Sequence, residues 1–77
     1  MSRKLKLIWD FKGPDGLETA KHHCIHLEEF SQIDNLVCHE ITFKVLNPMH
    51  TIAFVIINES DMKIFRDTLK PHRGELA

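Results

Sequence analysis

From Lys4 to Phe11 the chain alternates. Leu5, Leu7, Trp9 and Phe11 share one face, and Lys4, Lys6, Ile8 and Asp10 share the other. A period of two rich in aromatic and branched side chains predicts a half-buried strand. Gly13-Pro14-Asp15-Gly16 ends it in a turn. From Asp15 to Asp34 the period lengthens to that of a helix. Leu17, Ala20, Cys24 and Leu27 form one stripe, His23 and Phe30 lie on its flank, and His22, His26, Glu29 and Ile33 lie opposite. Asp15 stands as the N-cap, with Glu18 three residues on to complete a capping box.

Alternation resumes from Val37 to Leu46, with Val37, His39, Ile41, Phe43 and Val45 on one face and Cys38, Glu40, Thr42 and Lys44 on the other. Asn47-Pro48-Met49-His50 is a turn whose first φ is preset by Pro48. Thr51 to Asn58 returns as a strand apolar on both faces, as expected at the centre of a sheet. A second helix follows Asn58, with Ser60 as cap, Asp61 in its first turn and Met62, Phe65 and Leu69 on one face; Pro71 stops it.

The order β-α-β-β-α predicts one α+β domain over residues 1–77. It is a ferredoxin-like βαββα arrangement: a three-stranded antiparallel sheet with two helices on one face and the final strand missing or reduced. Leu5, Leu7, Trp9 and Phe11, with Ile41, Phe43 and Val45 and with Ile52, Phe54 and Ile56, are expected to meet the helices. The first strand then has an open edge, which invites pairing with another chain. The uncovered face would combine Lys6, Ile8, Ala53, Val55 and Ile57, an apolar centre inside a charged rim of the kind found at subunit interfaces. A homodimer is the expected assembly.

Size strengthens that expectation. A chain of 77 residues hides only about 60% of its unfolded surface, so a partner, a metal or a disulfide is the usual supplement. The formal charge of −1 argues against a general attraction to nucleic acid or an anionic membrane. No stretch approaches the ~20 apolar residues of a membrane span, and MSRKLKLIWDF lacks the apolar core of a signal peptide. A cytoplasmic protein with reduced thiols at Cys24 and Cys38 is expected.

The segment INESDMKIFRDTLKPHRGE, ending in Pro71 and His72, resembles the part of the dimeric α/β-barrel family in which a strand leads to an acidic helix start and then a Pro-His. The similarity covers about a third of the chain. It implies a ferredoxin-like domain that pairs sheet face to sheet face around a cavity. Family members usually carry the fourth strand and run longer. They include monooxygenases, haem-handling enzymes and proteins without known activity, so the resemblance implies no particular reaction.

Candidate chemistry centres on KHHCIHLEEF at positions 21 to 30. Wound into a helix, His22, His26 and Glu29 share one side, a set of N/O donors that suits a zinc-like divalent ion. His23 is expected to be a flank residue with its hydrogen bonds satisfied, and Cys24 a small buried hydrophobe. Cys38, on the uncovered face, is better placed than Cys24 to react. Trp9 is expected to anchor the core. The other role open to it is to line a cleft with His39 and His50 and stack on a planar small-molecule ligand. Gly13 and Gly16 match no phosphate-binding fingerprint. The leading expectation is a homodimeric binding or assembly module, followed by a small-ligand protein or enzyme of the α/β-barrel type, then a metal-binding protein.

Overall fold

A computed structural model describes residues 3–77. The strands are β1 (Lys4–Lys12), β2 (Cys38–Asn47), β3 (His50–Asn58) and β4 (Arg73–Leu76); the helices are α1 (Gly16–Ile33) and α2 (Met62–Leu69). They form an α+β domain with one four-stranded antiparallel sheet of order β2-β3-β1-β4. The expected three-stranded sheet is therefore corrected. Arg73–Leu76 is a real fourth strand, paired with Leu5–Ile8 of β1, so β1 is not an edge there. Pro71 hid this strand, because so few residues follow it that no alternation can be read.

β1 and β3 pair along their whole length, Lys4 with Asn58 through Lys12 with His50. Their register sets the faces. Leu7 stands opposite Val55 and Trp9 opposite Ala53. Leu7, Trp9, Val55 and Ile57 pack with Leu27 of α1 and Phe65 of α2 in the main core, so both helices cover the same face. The Phe30 and Phe65 rings meet edge to face at 5.4 Å where the two helices approach.

This overturns the expected orientation of β3. Ala53, Val55 and Ile57, expected at a dimer face, are fully buried, and the register turns them toward the helices; Ile52, Phe54 and Ile56 take the opposite face with Ile8. Alternation could not decide between two apolar sets. Packing decides it, since Ala53 leaves room beside Trp9, its partner in the register.

Cys38 is also corrected. It packs against the core under the helices because the β2–β3 register shifts between Cys38 and Glu40, where His39 is the extra residue. Such a bulge reverses the facing of everything before it.

The helix ends differ in detail from expectation. Asp15 is the N-cap of α1, but its side chain makes no capping bond. Its carbonyl instead accepts from the Thr19 N–H and hydroxyl, at 3.1 Å each. Ser60 lies within a 3-10 turn, Glu59–Asp61, and Asp61 is the residue before α2. α2 ends at Lys70, whose φ of 48° lets its N–H bond the Arg66 carbonyl.

Candidate functional site

The uncovered face of the sheet carries an apolar floor of Ile8, Ile52 and Phe54, with Ile56 beside them. These residues are only 1%, 5% and 8% exposed although no helix lies over them. The Lys6 ammonium sits 4.1 Å from the centre of the Phe54 ring, a cation–π contact at the edge of water. Lys6 and Ile8 thus stand on this face as expected, now with Ile52 and Phe54 for neighbours.

One end of the floor is a charged cluster. Asp10 accepts from Arg73 through both oxygens, Nε to Oδ2 and Nη2 to Oδ1, each at 3.2 Å. His50 Nε2 lies 2.8 Å from the same Oδ1. Partial burial would raise the Asp10 carboxyl. The hydrogen bonds from His50 and Arg73, and then their charges, outweigh that and hold its pKa below the usual carboxylate value. His72 completes the corner: its Nδ1 accepts the Asp10 backbone N–H at 2.8 Å, and its own N–H donates to the Ile8 carbonyl at 2.9 Å. The cluster joins β1, β3 and β4 and closes the sheet where β4 begins.

The ligand trio of Trp9, His39 and His50 is not brought together. Trp9 is buried on the helix side, with its indole N–H donating to the Leu69 carbonyl at 3.0 Å. His50 opens β3, whereas His39 bonds Asn58 at the other end of that strand, at 2.9 Å. Trp9 as a core anchor is the arrangement found.

His22, His26 and Glu29 are all exposed along α1. Among the described residues no three His, Cys, Asp or Glu side chains stand in positions to hold a metal ion. His23 departs from expectation in another way: its Nε2 is buried with no hydrogen-bond partner. Its ring lies 4.5 Å from Trp9 and 5.5 Å from Phe11, centre to centre. Burial lowers its pKa, and the charges of His26 and His72 push the same way.

Both cysteines are free and half-buried. Burial raises the Cys24 thiol, helped by Glu28. Burial also raises Cys38, where Asp61 adds to the effect and a hydrogen bond with Ser31 opposes it. Neither setting generates a thiolate at neutral pH.

Two further surfaces are present. An apolar groove of about 280 Å³ opens between α2 and the β1–β4 pair, lined by Leu5, Leu7, Met62, Gly74, Glu75 and Leu76. On the other side of the sheet, β2 is an edge strand of ten residues, none of them buried. Neither is legible in the sequence: the groove exists only once β4 is paired with β1, and β2 is an edge only through the order of the strands.

No helix among the described residues is long and apolar enough to cross a membrane. Comparison with family models, curated proteins and solved structures finds no match to this chain.

Proposed function

We propose that this protein is a non-enzymatic assembly module, a ferredoxin-like domain that works as a homodimer and presents the uncovered face of its sheet to a binding partner. The ferredoxin-like reading is supported by the position of β1 between β3 and β4 and by the packing of both helices on one face. The observation that carries the homodimer is β2. A long edge strand with unpaired backbone groups is a template for another strand. Here it also exposes Val45 and Leu46, with Met49 beside them in the hairpin turn. Apolar side chains along an open edge favour a partner that covers both at once.

Light scattering on the intact chain tests this reading. A mass of two chains at tens of micromolar supports it. A mass of one chain at every concentration up to about 100 μM, where even a weak dimer of Kd near that value would show, rejects it.

A second reading rests on the groove beside Leu5, Leu7 and Met62, which is lined almost wholly by apolar side chains. Its volume is near the lower end of the range for small-molecule sites, roughly 300–1,000 Å³. It would take a small apolar ligand. Saturable binding of an apolar fluorescent probe, abolished in Met62→Trp because the larger ring fills the groove, is the expected result. Binding that persists in that variant places the ligand elsewhere.

A further inference from the structure

Hydrogen bonding along the sheet fixes which way each strand points its backbone. The Ala77 N–H donates to the Lys4 carbonyl on the β4 side, while the Arg3 carbonyl accepts from Glu59 and the Gly13 N–H donates to Met49 on the β3 side. Even-numbered residues of β1 therefore face β4 and odd-numbered ones face β3, as antiparallel pairing alternates. Since Trp9 pairs with Ala53, the even-numbered residues of β3 face β2. Since Phe54 pairs with Thr42, Glu40, Thr42 and Lys44 turn their backbone groups inward to β3. Ile41, Phe43 and Val45 turn theirs outward, to the free edge.

That edge is complementary to its own reverse. Between the irregularities at Cys38/Glu40 and Val45/Asn47 the strand runs Glu40-Ile41-Thr42-Phe43-Lys44-Val45. Laid antiparallel to a second copy with Thr42 opposite Thr42, it places Glu40 opposite Lys44 twice and Ile41 opposite Phe43 twice. The Ile41–Phe43 pairs use the outward backbone groups, four hydrogen bonds about the twofold axis. Glu40 and Lys44 then form non-hydrogen-bonded pairs, in which side chains approach most closely. Sliding the register by one step of two residues in the pair sum brings Glu40 against Thr42 or Lys44 against Thr42. Sliding by two steps brings Glu40 against Glu40 or Lys44 against Lys44. Within the chain, among the described residues, neither Glu40 nor Lys44 makes an ion pair.

We propose that two copies of this chain join β2 to β2 in antiparallel fashion, with the twofold axis at Thr42, so that their sheets become one continuous sheet with all helices on one side. This rests on the homodimer reading above and specifies its geometry. The uncovered faces of the two copies would then lie side by side as one platform.

Charge exchange is the test. Glu40→Lys and Lys44→Glu each set like charges opposite one another at two symmetric positions, and each is expected to raise the dimer Kd roughly tenfold. The double variant E40K/K44E restores opposite charges and is expected to return Kd to within about twofold of the original. In a chain carrying Cys24→Ser and Cys38→Ser, Thr42→Cys is expected to form an intermolecular disulfide under mild oxidation. The facing Cα atoms would be about 4.5 Å apart, within disulfide range. Lys6→Cys, on the uncovered face, is the control expected to stay monomeric on a non-reducing gel. A chain that is monomeric throughout removes the homodimer itself. A chain that dimerises, shows no rescue in the double variant and cross-links through Lys6→Cys but not Thr42→Cys keeps the homodimer and overturns the edge register.

Discussion

Arg73 at the start of β4 places its guanidinium on the Asp10 carboxylate of β1 with two hydrogen bonds of 3.2 Å. Four residues make a weak strand, and this fork with His72 holds its first residue in register opposite Ile8. Asp10→Asn is expected to lower stability by about 1 kcal/mol, modest because the Arg73 side chain is half exposed. The sign with pH follows from the lowered Asp10 pKa. Its contribution is present above the unfolded value near 3.8 and is lost as pH falls through the lower native value. Urea denaturation across that window should show a fall in stability that is smaller in Asp10→Asn. Equal slopes in the two proteins would contradict it.

His23 is a buried imbalance: a polar ring nitrogen without a partner, set against Trp9 and Phe11. Its native pKa lies below 6.5, so the native state resists protonation that the unfolded chain accepts. Stability should be full above about 6.5 and should decline as pH falls from there through the lowered native value. His23→Phe keeps the ring and removes the unpartnered nitrogen. It is expected to add about 1 kcal/mol at pH 7 and to remove this part of the decline. Thermal melts at several pH values check both.

Gly16 begins α1 against the turn that leaves β1. A Cβ there would lie 2.7 Å from the Phe11 carbonyl oxygen and 3.3 Å from its carbon, both backbone atoms that cannot swing aside. Gly16→Ala is expected to cost on the order of 1–3 kcal/mol despite the better helix propensity of alanine. Chemical denaturation measures it; a neutral or stabilising result would mean that the β1–α1 turn relaxes freely.

Phe65 is fully buried between the helices and the sheet, packed with Leu27, Val55 and Ile57. Phe65→Ala should cost about 3–5 kcal/mol, against a total of roughly 4–11 kcal/mol for a domain of this length. Circular dichroism should find the variant largely unfolded at 37 °C or melting far earlier. A change of only a few degrees would mean that α2 contributes little to the core.

The elements that could be read from sequence were those with one apolar face. β1 shows Leu5, Leu7, Trp9 and Phe11 against Lys4, Lys6 and Asp10, with Ile8 the one apolar residue among them, and α1 shows Ala20 and Leu27 on a stripe opposite His22 and His26. β3 gave no such contrast, since Ile52/Phe54 and Ala53/Val55 are equally apolar, and only its pairing with Trp9 decides which set lies under the helices. The bulge at His39 has no local signature and moved Cys38 to the core. β4 was too short to show a period. The histidines of α1 were legible as two groups, but the one with a structural consequence is His23, whose unpartnered nitrogen is visible only once Trp9 and Phe11 are packed around it.

The claim that this chain pairs with its own copy through β2 is tested most directly by amide hydrogen exchange at Ile41 and Phe43. Their backbone groups face outward in one chain and would be bonded in the pair. The account predicts slow exchange at Ile41 and Phe43 that speeds up on dilution, in step with the fraction of dimer. Fast exchange at these amides at every concentration, alongside protected amides in Glu40, Thr42 and Lys44, would contradict it.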